Sequence, residues 1–407
     1  GGGGQAELWG AFAEKLAAWE AHTRAETLRL GELCREQGQK LKNQEHRIAT
    51  LETQLREARN GKGAPQKSPA PQDPGPRCDP GADALAPVPL QHLLPPGPGA
   101  SGREGSARTA ARRQFCENLR GHGFCLVQCP RALQLGGSVK RVYDAARVFF
   151  RLPIERKDVS RCPTEHGYLN PKGNYQCFQV KAQHGEGFVW PGQSFQEAFV
   201  AAHSLLEKVA LACFDACAED LGSEPAELRR LLDVRAPGID TPSRSALRCI
   251  EYSRTEGARA EYAEHTDLSF ITVAPRGSRD ALRVRDMSSL EELEVERAMG
   301  RDTLLVFCGD LMARLTDNHF PAAMHRPEGS WKGGTKDGNA APDLRFALPF
   351  FLRGRSDAVL DPRRVGGSGE AAGGPVPVWA LEDNVDKARE KFPWKKQPYY
   401  SAFGFSA

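Results

Sequence analysis

After Ala236 the chain is a succession of short strand-like runs, and this texture limits the folds that it can adopt. Each run is rich in β-branched and aromatic residues, and glycine, aspartate or proline separates it from the next, as expected for strands joined by turns. The runs are ALRCIEYS, LSFITVAP, ALRVRD, DTLLVFCG and LRFALPFFL. Because helical patterns precede these strands, the sequence predicts a layer of helices packed against a β-sandwich or barrel.

Helical patterns dominate the part of the chain before Ala236. Residues 110–119 and 142–152 are predicted as helices, the second stopped by Pro153, and the run GHGFCLVQ between them is predicted as a strand. The longest apolar-periodic helix covers residues 195–221. The predicted regions are therefore a helical region (110–235), a β-rich core (236–375) and a C-terminal helix with a tail (376–407).

The N-terminal quarter differs in composition from the rest. Residues 6–60 lack proline, are rich in Ala, Glu, Leu, Gln and Arg, and predict one long helix within residues 1–60. Apolar residues there recur at three-then-four spacing with a slip near Gln37, so a dimerising coiled coil and a solvated helix packed on its own domain are equally favoured. Residues 61–109 are rich in proline and glycine, which indicates a linker, with a first strand near residues 86–94.

Charge and cysteine content restrict the partners and the compartment. Lys and Arg number 55 against 52 Asp and Glu, a net charge of +3, and no basic tract predicts a nucleic-acid partner. No apolar run approaches the length of a membrane span, so we expect no membrane association. The 11 cysteines have no disulfide-like or zinc-finger spacing. We therefore predict structural thiols and a cytoplasmic protein.

Two histidines and one aspartate are the candidate metal ligands. His265 and Asp267 lie in HTDLSF, and His325 follows in FPAAMHRPEG. If HTD is a strand, residues i and i+2 project to the same face, and a third ligand must come from another strand. Two histidines and a carboxylate are the ligand set of mononuclear non-haem iron(II) oxygenases. His319 is the rival third ligand, but it lies in a turn-like segment.

The order of motifs between residues 247 and 351 resembles the isopenicillin N synthase-like branch of the iron(II)/2-oxoglutarate dioxygenases. The family's HTD-x-x-x-(Leu/Ile)-Thr run is similar to residues 265–272, and its strand ending in Gly-Asp is similar to the stretch with Gly309 and Asp310. Its Phe-Pro-Ala-x-x-His-Arg stretch matches residues 320–326, which favours His325 over His319. Altogether the resemblance covers roughly residues 86–360.

The resemblance implies an α+β protein with a double-stranded β-helix (jelly-roll) core flanked by helices, in addition to the long N-terminal helix. It implies that His265, Asp267 and His325 hold iron(II), with dioxygen and 2-oxoglutarate as cosubstrates. Arg345 would bind the distal carboxylate of 2-oxoglutarate, because a guanidinium fork suits a carboxylate. Tyr252 would donate its hydroxyl to the same group. Ala347 departs from the family's serine and removes one such hydroxyl.

The implied function is hydroxylation or desaturation of a small organic substrate, with release of succinate and carbon dioxide. Two alternatives remain at this point. One is an oxidase of the same fold that does not use 2-oxoglutarate, which the change at Ala347 leaves open. The other is a non-catalytic interaction protein that self-associates through residues 6–60. A lone arginine in the apolar run LRFALPFF is in either case expected to have a partner, because an unpaired buried charge is costly.

Overall fold

The structure is a computed structural model of the 407-residue chain. It describes the part of the chain from residue 86 to residue 381, with gaps. The described ranges are 86–95, 102–162, 166–170, 175–182, 188–233, 243–253, 264–327, 344–367 and 374–381. The predicted helix at 6–60, its self-association and most of the predicted C-terminal helix lie outside the described residues.

Six α-helices have both ends within the described ranges, and three long ones form a layer. The helices are α1 (Gly102–His122), α2 (Leu135–Phe150), α3 (Ile154–Asp158), α4 (Gln193–Asp220), α5 (Pro225–Arg229) and α6 (Asp310–Leu315). The longest, α4, packs against α1 and α2 on one side and against strands on the other. Its buried face combines small residues, mainly alanine and cysteine, with phenylalanines. The small residues allow close approach of its neighbours, and the rings fill the space between the layers.

The strands of the first half and the second half of the chain join in one sheet. The early strands are β1 (Val88–Pro89), β2 (Phe124–Gln128), β3 (Arg161–Cys162), β4 (His166–Leu169), β5 (Tyr175–Lys181), β6 (Ala246–Ser253) and β7 (Ile271–Pro275). The later strands are β8 (Leu282–Arg285), β9 (Glu292–Glu294), β10 (Thr303–Cys308), β11 (His325–Pro327), β12 (Leu344–Ala347), β13 (Phe350–Leu352), β14 (Val359–Leu360) and β15 (Val376–Pro377).

The fold is a mixed arrangement of helices around a large sheet. Its strand order is β1-β2-β10-β7-β13-β6-β5-β4-β3, and β12 also pairs with β6. Every pairing in it is antiparallel except that of β1 with β2. A second sheet has the order β11-β8-β9, and β14 pairs with β15. The predicted layer of helices packed against a β core is confirmed at this level, and the pairing within the large sheet is mostly antiparallel.

Alternation along the central strands explains how the layers pack. In β2, Cys125 and Val127 join the cluster that contains the helices, whereas Phe124 and Leu126 face the second sheet. The neighbouring strand β10 divides its side chains in the same way. Because successive side chains of a strand project to opposite faces, the large sheet lies between the helical layer and the three-stranded sheet. The interior between the two sheets receives the candidate ligands.

Several local expectations differ from the structure. Helix α1 begins at Gly102, inside the range assigned to the linker, and β3, β4 and β5 lie in the range predicted to be helical. The run LRFALPFFL forms two strands instead of one, because Pro349 has no N–H to donate and interrupts the ladder after Ala347. The helical residues 378–381 are the described start of the predicted C-terminal helix.

The described cysteines support the prediction of structural thiols. All nine of them are buried, and none of the nine forms a disulfide. Burial raises the pKa of the Cys125 thiol to about 12, so it stays protonated and packs as a small apolar group. Within the described ranges, none of the helices combines the length and the apolar character needed to cross a bilayer.

Candidate metal centre and cosubstrate cavity

The three predicted ligands meet between the two sheets. One potential ligand atom from each of His265, Asp267 and His325 lies within 4.8 Å of the other two. The Asp267 Oδ1 atom is 3.9 Å from Nε2 of His265 and 3.8 Å from Nε2 of His325. These separations exceed hydrogen-bond length, so the atoms face a common point instead of bonding one another. Among the described His, Cys, Asp and Glu residues, these three lie close enough together to hold a metal ion.

The backbone that carries the first two ligands is not the regular strand that we predicted. His265 makes only an isolated antiparallel bridge to His325, and Thr266 and Asp267 follow in irregular backbone before β7. The bridge has two hydrogen bonds, His265 N–H to the His325 carbonyl (3.0 Å) and His325 N–H to the His265 carbonyl (2.9 Å). It brings the two imidazoles side by side, with ring centroids 4.5 Å apart.

The Gly-Asp pair after β10 holds the Asp267 segment in place. The Asp310 N–H donates to the Asp267 carbonyl at 2.8 Å, and Leu311 N–H donates to the Ser269 carbonyl at 3.1 Å. A Cβ atom at Gly309 would overlap the Asp267 carbonyl and the Ser269 side chain. Glycine is therefore required at position 309 for this close approach. Sequence reasoning had treated this pair only as part of the family resemblance.

Neighbouring groups orient two of the three ligands. The Thr272 hydroxyl donates to Asp267 Oδ2 at 2.8 Å and lies 2.9 Å from the Ser269 hydroxyl, so Oδ1 is the oxygen turned toward the histidines. His325 Nδ1 lies 3.1 Å from the Ala323 carbonyl. If Nδ1 carries the proton and donates it there, Nε2 is the lone-pair nitrogen, as metal-bound histidines require. The donor set and its orientation fit a divalent transition metal with open coordination positions.

The same cavity contains both residues proposed for the cosubstrate. It has a volume of about 540 Å³ and is lined by the three candidate ligands, Arg345 and Tyr252. Arg345 and Tyr252 are register partners on β12 and β6, and the guanidinium carbon lies 5.4 Å from the centroid of the tyrosine ring. Burial raises the pKa of Tyr252 to about 12, so its hydroxyl remains protonated at neutral pH. Ala347 also lines this cavity.

Arg345 has a partner that sequence reasoning did not identify. Its Nη2 donates to Glu296 Oε1 at 2.8 Å, and both side chains are almost completely buried. Its Nε donates to the Arg279 carbonyl at 3.2 Å. Burial opposes the charged form of Arg345, but the Glu296 carboxylate outweighs it, so the pKa of Arg345 is raised. The expectation of a partner is confirmed, and the partner is a buried carboxylate.

Backbone amides hold Glu296 firmly in that position. Its Oε1 accepts from Gly277 N–H at 2.8 Å, and its Oε2 accepts from Ala281 N–H at 2.7 Å and Leu282 N–H at 2.8 Å. Three backbone donors and one guanidinium donor therefore fix both oxygens of this carboxylate. In the sequence, Glu296 is one of several glutamates in SSLEELEVERAMG, and no feature distinguishes it from the others.

The other described histidines are elsewhere. His319, the rival ligand, is half-exposed, and its Nε2 lies 3.5 Å from Asp220 at the end of α4. His203 is buried in α4 against the Phe350 ring, and burial lowers its pKa to about 4. The structure therefore brings together His325 with His265 and Asp267, and it separates His319 from them.

Two curated relatives each match nearly two thirds of the chain. The 2-oxoglutarate-Fe(II) type oxidoreductase hxnY of Emericella nidulans is 26% identical over 289 residues, which are 63% of this chain and 78% of that protein. Isopenicillin N synthase of Streptomyces microflavus is 26% identical over 304 residues, 64% of this chain and 84% of that protein. No protein-family profile matches the chain. The chain is a relative of the iron(II)/2-oxoglutarate oxygenases, in the branch that includes isopenicillin N synthase.

Solved structures of other proteins have the same fold as this chain. The rice dioxygenase for auxin oxidation superposes with a TM-score of 0.54 at 17% identity, covering 78% of this chain and 97% of that one. A 2OG-Fe(II) oxygenase family protein from Caulobacter crescentus also gives 0.54, at 18% identity, covering 69% of this chain and 94% of that one. The chain is thus related to oxidoreductases that use iron(II) and 2-oxoglutarate with dioxygen.

Proposed function

We propose that this chain is an iron(II)- and 2-oxoglutarate-dependent dioxygenase that hydroxylates or desaturates a small organic substrate and releases succinate and carbon dioxide. The observation that carries the proposal is the convergence of His265, Asp267 and His325 in one cavity with Arg345 and Tyr252. In this proposal the large sheet and the three-stranded sheet are the two halves of a jelly roll. The metal, when bound, would supply the activation of dioxygen.

The residues of the chain would position the reactants. His265, Asp267 and His325 would hold the metal at the wall of the cavity. Arg345 and the protonated hydroxyl of Tyr252 would donate to the distal carboxylate of 2-oxoglutarate. Glu296 would keep the guanidinium in a fixed orientation, since it is itself anchored by three backbone amides. The walls of the cavity would limit the access of water.

An anaerobic titration tests this proposal. The metal-free chain is titrated with iron(II) and then with 2-oxoglutarate, and the visible metal-to-ligand charge-transfer band of the chelate is recorded. We expect the band in the wild-type chain and its loss in His265→Ala. A matched control is His319→Ala, which changes a histidine near Asp220, away from the ligand group. Absence of iron binding in the wild-type chain would contradict the proposal.

The second candidate function is an oxidase of the same fold that does not use 2-oxoglutarate. The pairing of Arg345 with Glu296 favours it, because the positive charge meant for the cosubstrate already has a carboxylate partner. The alanine at 347 favours it too, since one donor to that carboxylate is missing. Iron binding without the charge-transfer band, and substrate oxidation without succinate release, would select this alternative.

A further inference from the structure

We propose that Glu296 determines which 2-oxo acid this chain accepts, and that a 2-oxo acid with an uncharged distal group binds at least as well as 2-oxoglutarate. The distal group would be one that accepts a hydrogen bond, such as an ester or an amide. Glu296 already supplies a carboxylate to Arg345, the residue assigned to the distal carboxylate of the cosubstrate. This inference rests on the proposed function, because it concerns the cosubstrate of the same site.

The side chain of Glu296 faces the cavity that would receive the cosubstrate. Glu296, Arg345 and Tyr252 all line this cavity, together with the three candidate metal ligands. Glu296 Oε1 accepts from Arg345 Nη2 at 2.8 Å, and the two side chains are only 3% and 2% exposed. Glu296 and the distal carboxylate of 2-oxoglutarate would therefore share one guanidinium in one buried region.

Arg345 is engaged along one edge of its guanidinium. Its Nε donates to the Arg279 carbonyl at 3.2 Å, and its Nη2 donates to Glu296. These two nitrogens form the side edge through which an arginine can bind a carboxylate with two parallel hydrogen bonds. A cosubstrate carboxylate at this edge would have to displace both acceptors. A cosubstrate carboxylate at the end of the guanidinium would still lie close to Glu296.

The backbone prevents Glu296 from moving aside. Its Oε1 accepts from the Gly277 N–H, and its Oε2 accepts from the N–H groups of Ala281 and Leu282. A Cβ atom at Gly277 would lie 2.7 Å from Glu296 Oε1 and 3.0 Å from Arg345 Nη2, so this backbone packs directly against the pair. Rotation of Glu296 away from Arg345 would break three backbone hydrogen bonds, which is costly in a buried site.

The charge of a second carboxylate would be poorly accommodated here. Arg276 is within electrostatic range of Glu296, but its own guanidinium donates to both oxygens of Asp280, at 2.8 Å each. A distal carboxylate brought to Arg345 would therefore be repelled by Glu296, because like charges interact strongly when they are close together and buried. A neutral oxygen avoids this repulsion and can still accept from Arg345.

The other groups near Arg345 suit an uncharged acceptor. Ala347 lies two residues after Arg345 on β12, so both side chains project to the same face, and both line the cavity. Ala347 presents a methyl group where a serine would present a hydroxyl. The hydroxyl of Tyr252 stays protonated, since burial raises its pKa to about 12, and it can donate to a neutral oxygen as well as to a carboxylate.

A matched pair of 2-oxo acids tests the inference. 2-Oxoglutarate and its 5-methyl ester have the same chelating end and the same distal carbonyl, and they differ in the distal charge and one methyl group. The full-length chain is loaded with iron(II) under anaerobic conditions and titrated with each acid. The charge-transfer band then gives the two dissociation constants. We expect the wild-type chain to bind the ester at least as tightly as 2-oxoglutarate.

A variant connects this preference to Glu296. Glu296→Gln removes the charge and retains the size of the side chain and one acceptor oxygen. Its affinity for 2-oxoglutarate should rise about tenfold or more, whereas its affinity for the uncharged ester should change by less than about threefold. The matched control is Glu294→Gln, because Glu294 pairs with Arg283 and Arg297 and does not line the cavity. The control should leave both affinities unchanged.

The outcomes separate this inference from the proposed function. Tighter wild-type binding of 2-oxoglutarate than of the ester would overturn the inference and leave the proposed function intact. Equal changes for the two acids in Glu296→Gln, or the same change in Glu294→Gln, would also overturn it. Bound iron without a band for either acid would overturn both proposals. Circular dichroism shows whether each variant is folded, and the wild-type comparison decides the matter if Glu296→Gln is not.

Discussion

The candidate metal centre and the cosubstrate anchor, which is Arg345 with Glu296, differ in how their charges are paired. At the metal centre, Asp267 Oδ1 lies 3.8 Å to 3.9 Å from two imidazole nitrogens and bonds neither of them. At the cosubstrate anchor, Arg345 bonds Glu296 at 2.8 Å in a buried pair. At the metal centre the potential ligand atoms are arranged around a common point. At the cosubstrate anchor the positive charge of Arg345 is already compensated by Glu296. We therefore expect ligand binding to depend on charge at the metal centre and on hydrogen-bond geometry at the anchor.

The largest expected effect comes from the metal ligands. Either His265→Ala or Asp267→Ala should abolish iron(II) binding and leave the fold intact, because each removes one of three ligands without removing a core side chain. Equilibrium dialysis with iron(II) under anaerobic conditions measures the affinity, and circular dichroism monitors the fold. Wild-type iron affinity in His265→Ala would disprove the assignment of this ligand.

Removal of the Arg345 guanidinium tests the cosubstrate anchor. Arg345→Met should weaken 2-oxoglutarate binding about a hundredfold or more, since at least two charge-assisted hydrogen bonds would be lost. Iron affinity should change little. The matched control is Arg283→Met, because Arg283 pairs with Glu294 at 2.8 Å at a partly exposed position. A variant that loses iron and 2-oxoglutarate equally would mean that the metal centre and the anchor are not independent.

The stability of the anchor gives a related test. Glu296→Ala should lower the free energy of unfolding by about 3–5 kcal/mol, because it leaves the buried Arg345 charge without its carboxylate. Urea denaturation measures this difference. The control Glu294→Ala removes a carboxylate that pairs with Arg283 and Arg297 at a partly exposed position, and it should cost about 1 kcal/mol or less. Similar losses of unfolding free energy in Glu296→Ala and Glu294→Ala would show that the buried pair contributes no more to stability than the partly exposed one.

An orienting hydroxyl should have a smaller effect on the metal centre. Thr272→Val removes the donor to Asp267 Oδ2 and retains the shape of the side chain. Iron affinity should fall by roughly 10–100-fold, as for other groups that orient metal ligands. Thr303→Val is the control, since Thr303 is a buried strand threonine whose hydroxyl donates to Gln128. Equal losses of iron affinity in both variants would indicate a general effect on the sheet.

The smallest expected effect is a gain in affinity for 2-oxoglutarate. Ala347→Ser restores the hydroxyl that the resemblance places beside the cosubstrate carboxylate, on a residue that lines the cavity. We expect 2-oxoglutarate to bind up to about tenfold more tightly, from one additional hydrogen bond to a charged group. The charge-transfer titration measures the change. Weaker binding would show that the carboxylate does not approach position 347.

The strands were predicted better than the backbone between them. Residues 246–253 form the predicted strand, and β10 occupies the centre of DTLLVFCG. The HTD segment, by contrast, was predicted as a strand and is irregular backbone with one bridge to His325. Its ligands still converge, because Gly309 and Asp310 hold the Asp267 carbonyl from another part of the chain. Such a contact has no local sequence signal.

The sequence by itself determined the helical layer, the β-rich core and the three candidate ligands. These features depend on short-range periodicity and on motif order, which are visible without coordinates. Only the tertiary structure decided which groups surround them: Glu296 reaches Arg345 across 49 positions, and Arg248 and Arg353 share the Phe351 ring. The physical reason is that strand register and sheet packing, which are long-range hydrogen-bonding and burial effects, bring together residues that are distant in the chain.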